Sequence, residues 1–233
     1  GAIQTEFKAE KEMSINLNRF NRVNRKKIFN RIERTQKAAI PQAPKRPPLL
    51  HPQLDISALT DIFLSKFSAS SSTFQSIDCL SLVPQLVLQY AEKHSANKTL
   101  VTNLHSILTL DETPLDWPET LSLSPPPATG NEAIGLSYAT TAIAETGSLV
   151  LTSSEKNPTT VNFLTDHHII ILNEQDIVPN IESMWERLSL SAGNMPRAVN
   201  IITGPSRTAD IEQTIQLGAH GPRSLHLLLL TQR

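Results

Sequence analysis

The last hundred residues alternate short apolar runs with helix-period stretches, and this alternation limits the fold more than any other feature. Ala133 to Tyr138, Ser148 to Thr152, His168 to Leu172, Ala198 to Ile202 and Leu225 to Leu230 read as strands. Two of them are apolar at successive positions, through Ile169-Ile170-Ile171 and Leu227-Leu228-Leu229-Leu230. Neighbouring strand residues point to opposite faces, so such runs need cover on both sides. Helical patterns over Val178 to Leu190 and Thr208 to Leu217 lie between these strands. The alternation predicts an α/β protein built on a mostly parallel, Rossmann-like sheet.

Upstream, Ile56, Leu59, Ile62, Phe63 and Phe67 predict a helix over Leu54 to Phe67, followed by a loop at Ser68 to Ser72. Leu82, Val83, Leu86, Val87 and Tyr90 predict a second helix, Leu82 to His94. Thr99 to Thr102 reads as a short strand, and the Pro-rich stretch Leu115 to Pro127 as irregular. Ala139 to Ala144 reads as a short helical turn before a tight Glu145-Thr146-Gly147 turn.

The N-terminal part differs in composition. Residues 19–46 hold ten Lys and Arg against one acid, Glu33, whereas the remainder is acidic enough to bring the net charge to −1. Asn24 to Gln36 predicts a helix with Ile28, Phe29 and Ile32 on one stripe, and Pro41, Pro44, Pro47 and Pro48 then break it. The division expected is a basic, helical arm with a Pro-rich linker, 1–48, and an α/β domain, 49–233. The basic arm suits an acidic surface of its own body or of a neighbour better than nucleic acid, because it has few aromatics and no DNA-binding motif.

Cys79 is the only cysteine of the 233 residues. It allows no intrachain disulfide, and one thiolate cannot supply the four ligands of an iron–sulfur cluster. Its apolar setting in Ile77-Asp78-Cys79-Leu80 predicts a buried, inert thiol. His167 and His168 are adjacent on a strand and face opposite ways, so they do not share a metal; no metal site is expected. The longest apolar run is far too short for a membrane helix, and no signal-like apolar segment stands near the start, so a cytoplasmic protein is expected.

Three places carry candidate chemistry. In Gly204-Pro205-Ser206-Arg207-Thr208-Ala209-Asp210 the pattern reads as a strand end, a turn and a helix start. A helix N-terminus presents unpaired N–H groups, so Ser206, Arg207, Thr208 and Asp210 are candidates for holding an anion such as a carboxylate or phosphate. The same residue types also serve as plain helix caps. Glu145, between small apolar residues and a Gly turn, is a candidate base or nucleophile, or a carboxylate that satisfies its own turn. His220, in Ala219-His220-Gly221-Pro222, is a candidate acid–base group or a loop-bonding imidazole.

Two of these segments resemble a known family. Ala142-Ile143-Ala144-Glu145-Thr146-Gly147-Ser148-Leu149-Val150-Leu151 is similar to the central signature of the LUD domain family. Gly204 to Glu212, followed by Gly218-Ala219-His220-Gly221-Pro222, is similar to its C-terminal signature. Between them, Asn157 to Thr165 departs from the pattern, since many relatives carry an Arg and a Pro there. The resemblance implies a fold like that of sugar-phosphate isomerases and coenzyme A transferases. It also implies an accessory role in the oxidation of L-lactate to pyruvate, beside iron–sulfur partner proteins that hold the clusters, with no cofactor on this chain. The alternative is a stand-alone enzyme acting on a small acid, a sugar phosphate or a thioester through Glu145 and His220.

Overall fold

In the computed structural model, the described residues are 22–34, 54–94, 96–102, 115–154, 157–191, 195–209, 215–217 and 220–231. The chain divides into two units, Gly1–Leu50 and His51–Arg233. Of the first, the helix α1 is described over 22–34, as the Ile28, Phe29 and Ile32 stripe predicts. The linker prolines lie outside the described residues.

The second unit begins with helix α2 (Leu59–Ala69), strand β1 (Thr73–Ile77) and helix α3 (Val83–Lys93). Then come β2 (Thr99–Thr102), β3 (Ser122–Ser124), β4 (Ile134–Tyr138), β5 (Thr141–Ile143) and β6 (Ser148–Thr152). A short helix, Val161–Leu164, precedes β7 (His167–Asn173) and β8 (Ile177–Val178), and a longer helix, Ile181–Ser191, precedes β9 (Val199–Ile202). The chain closes with β10 (Arg207–Ala209), β11 (Ile215–Leu217) and β12 (Ser224–Leu230).

The main sheet has six strands in the order β1-β12-β7-β4-β2-β3, and every pairing in it is parallel. The expected mixed α/β fold with a mostly parallel sheet is what forms. The Ile and Leu runs occupy its centre, with β12 against β7 over seven residue pairs. One face, lined by Ile169, Ile171, Leu228 and Leu230, takes Val83, Val87 and Tyr90 of α3. The other, lined by Ile170, Leu172, Leu227 and Leu229, takes Phe63 and Phe67 of α2. A run apolar at every position is thereby buried on both sides.

A second, four-stranded sheet, β8-β5-β6-β9, is mixed. Its Leu149 and Leu151 join the Phe63–Phe67 cluster, so α2 supports both sheets. Its other side packs Ile143, Val150 and Val178 on Met184 and Leu188 of helix Ile181–Ser191. Ile181 and Trp185 of that helix are about 40% exposed, although a helix over Val178 to Leu190 puts both on the stripe of Met184 and Leu188.

Four local expectations are corrected. Residues 141–143 form β5 instead of a helical turn, because they pair on both edges, with β6 and β8. Residues 73–77, given no element from sequence, form β1, whose polar exposed positions are fixed by parallel pairing to β12. Residues 122–124 form β3 on the far edge. The helix expected over Thr208 to Leu217 is replaced at its described ends by an antiparallel pair, with Arg207 opposite Leu217 and Ala209 opposite Ile215. Cross-strand partners outside the local window decide such cases.

Candidate functional site

Both signature turns lie at the amino-terminal edge of the main sheet, against the end of α2. Gly147 has φ +66, and a Cβ there would stand 2.5 Å from the Phe67 backbone nitrogen. Gly204 has φ +89, and a Cβ would stand 2.9 Å from the Ser70 carbonyl oxygen. Both positions require glycine twice over, for the left-handed backbone and for the contact. Residues 66–70 lead directly into the first residue of β1, which fixes which edge this is.

Hydroxyls join the two turns. Ser148 Oγ lies 2.6 Å from Thr203 Oγ1 and 2.7 Å from Thr146 Oγ1. The Glu145 N–H donates to the Pro179 carbonyl at 3.0 Å, and the Gly147 N–H to the Ile143 carbonyl at 2.9 Å. The turn therefore uses backbone partners, and Glu145 is half-buried.

The third segment closes the same neighbourhood. The Ser206 N–H donates to the Pro222 carbonyl at 2.8 Å, and Gly221 lies flat against Ser206, where a Cβ would be 3.3 Å from the serine Cβ. Arg207 and His220 are exposed beside this contact, and Ser206 is half-buried. Thr208 is placed as the middle residue of β10. Asp210, Gly218 and Ala219 lie outside the described residues. The fold thus brings the loops of Glu145, Ser206–Arg207 and His220 to one edge of the molecule.

The chemistry expected of the Gly204 turn changes. Arg207 starts a strand, so the turn offers no helix N-terminus, and neither helix capping nor a helix-dipole anion site applies to Ser206 and Thr208. The turn also follows a strand of the small sheet and sits by the amino ends of β7 and β12, away from the carboxyl ends where open parallel sheets hold ligands.

Sequence reasoning missed the groups beside this edge. Asp166 accepts from the Arg223 N–H and guanidinium, both at 2.8 Å, tying the start of β12 to the start of β7. Beyond it, on the α3 face, Tyr90 is surrounded by His94, His167 and His226. These residues come from distant parts of the chain, so no local motif marks them. His168 points the other way, as alternation requires, and pairs with Ser137 Oγ at 2.6 Å. Full burial pushes the His168 imidazole down to about 3.

Cys79 is exposed, with Sγ 3.0 Å from Ser81 Oγ, which corrects the expected buried thiol. Burial ends at Ile77, the last residue of the edge strand β1. Among the described residues no group of three or more His, Cys, Asp or Glu side chains could hold a metal ion. No helix among them is long and apolar enough to cross a membrane.

Residues 130–230 match the LUD domain. The matched stretch runs from the loop before β4 to the last residue of β12 and contains all three turn segments. Over this stretch the chain is similar to the LUD domain and to relatives named lactate utilization protein C. The protein of that name from Halalkalibacterium halodurans is 35% identical over 92 residues, covering 38% of this chain and 40% of the relative. Its counterpart from Bacillus subtilis is 32% identical over 103 residues, covering 43% of each. The chain spans about two fifths of the length of these curated relatives. A solved structure, that of a DUF162 family protein from Deinococcus radiodurans, covers 76% of this chain and 99% of its own with a TM-score of 0.55. At 16% identity it shows the shared fold.

Proposed function

We propose that this chain acts in lactate utilisation as a partner of iron–sulfur proteins in the oxidation of L-lactate to pyruvate. The observation that carries the reading is the stretch shared with relatives named lactate utilization protein C, which contains the Glu145, Ser206 and His220 loops that meet at one edge. One cysteine cannot ligate a cluster, so electron transfer falls to partners. The exposed Arg207, on the turn that follows Thr203, offers a surface suited to a carboxylate or to an acidic patch on a partner.

The test is complementation of a lactate-dependent host that lacks its own protein of this type. The chain is expected to restore growth on lactate, and Arg207→Ala to lower it at unchanged protein level. Growth unaffected by Arg207→Ala removes the turn from the reading; failure of the intact chain to complement, or to co-purify with the cluster proteins, removes the lactate role.

A second reading is favoured by one feature, a half-buried Glu145 in the turn that precedes the Thr146, Ser148 and Thr203 hydroxyl chain. It is an enzyme in its own right, acting on a small acid, a sugar phosphate or a thioester. Turnover of such a compound by the purified chain, abolished in Glu145→Gln, would establish it.

A further inference from the structure

On the α3 face of the amino edge, three histidines enclose one tyrosine. Tyr90, 7% exposed, stacks on His94 with ring centroids 4.2 Å apart. His226 lies at 5.0 Å and His167 at 5.7 Å, and His94 and His167 are 5.8 Å from each other. Tyr90 and His94 occupy the last turn and C-cap of α3, while the other two histidines sit near the starts of β7 and β12.

The hydrogen bonds favour neutral rings. Ser224 Oγ is 3.0 Å from the Tyr90 hydroxyl and 2.6 Å from His167 Nδ1. With Tyr90 donating to Ser224, the serine proton is left for His167 Nδ1, which must then accept. Thr73 Oγ1 stands 2.7 Å from His226 Nδ1. A protonated His167 presents N–H at both nitrogens and reverses the Tyr90–Ser224 chain.

The surrounding charges do not welcome added protons. Lys93 lies on α3 next to His94, and Arg223 lies beside His167. Asp166 acts on His167 in the opposite sense, but it already holds Arg223 at 2.8 Å. On the same helix Glu92 is paired with Lys98 at 2.9 Å. Burial, and then the neighbouring His94 and Lys93, push His226 down to about 4. Burial likewise lowers His94 and His167 from their ordinary range. The C-terminal end of α3 favours a cation at the exposed His94, so His226 and His167 are the restraining members.

We propose that Tyr90, His94, His167 and His226 form an acid-sensitive latch, which holds the last turn of α3 on the main sheet while the imidazoles are neutral and releases it when they take up protons. The charges on His94 and His167 then face each other at 5.8 Å, with His226 against the same tyrosine ring, and the turn carrying Tyr90 and His94 is the piece free to move away. Release would change the molecular edge next to the signature turns without unfolding the sheet.

The experiment is peptide-resolved hydrogen exchange of the full chain at pH 7.5 and pH 5.0, corrected for the intrinsic exchange rate. Amides 88–94 are expected to lose at least tenfold in protection at pH 5.0, while helix Ile181–Ser191 stays within about twofold. In His226→Gln, which keeps a partner for Thr73 and does not titrate, the loss should shrink below threefold; His226→Leu serves as a second non-titrating variant if the first folds poorly. Equal protection of 88–94 at both pH values overturns the latch. So does a loss shared equally by both helices, which marks global acid unfolding, or a loss undiminished in the folded variants.

Discussion

The two halves of the amino edge are built on opposite chemistry. On the α2 side, glycines and small hydroxyls let two turns lie flat on a helix end, with Gly147 and Gly204 in left-handed backbone. On the α3 side, four rings fill a comparable position, and their contacts depend on protonation state. Asp166 and Arg223 stand at the seam between them. One half is held by close backbone approach, whereas the other is held by contacts among imidazoles. The difference teaches that a family signature marks the first kind of surface far better than the second.

The comparison can be broken most strongly at its shared support. Phe67 is fully buried, stacks on Phe63 with centroids 5.5 Å apart, and contacts both sheets and Gly147. Phe67→Ala should cost about 3–5 kcal/mol in urea unfolding. Gly147→Ala probes the α2 side alone and should cost about 2–4 kcal/mol, from the left-handed backbone together with crowding on Phe67. A loss below about 1 kcal/mol would show that the turn relaxes away from α2.

The α3 side should instead answer to pH. His226 on this side, and His168 on the opposite face of the sheet, are lowered in the folded state, so the unfolded chain binds protons first as the pH falls below about 6.5. The stability they contribute is therefore intact above pH 6.5 and is lost on the way down, towards about 4 for His226 and about 3 for His168. Each such histidine should lower stability by on the order of 1 kcal/mol per pH unit within its window. Urea titrations of the chain and of His226→Gln, between pH 7 and 4.5, should diverge in slope by about that amount. The smallest effect is expected at the seam. Arg223→Ala breaks an ion pair whose side chains are 57% and 55% exposed, and should change stability by less than about 1 kcal/mol.

Much of the fold could be read from local pattern. The strands of the Ile and Leu runs, the two helices that cover them and the Glu145-Thr146-Gly147 turn follow from periodicity and glycine chemistry. β1 could not be read this way, because Thr73 to Ile77 is polar at positions whose only structural demand is pairing with β12. The pairing of residues 207–209 with 215–217 escaped too, since Ser, Thr and Asp after a Gly-Pro suit a helix start as well as a hairpin. Of the site, the residues were legible and their geometry was not. Glu145, Arg207 and His220 were singled out by their turns, yet their meeting at the amino edge depends on how α2 packs.

The amino-acid order alone determined that this chain builds a sheet covered on both faces, because uninterrupted Ile and Leu runs admit no wet side. It also determined where the backbone must turn, because glycine is the residue that tolerates a positive φ beside a helix end. Tertiary structure decided which edge those turns occupy and what stands next to them. Residues 73, 90, 94, 167, 224 and 226 share no local pattern, and the parallel pairing of β1, β12 and β7 under α3 is what places their side chains within hydrogen-bonding and ring-contact distance.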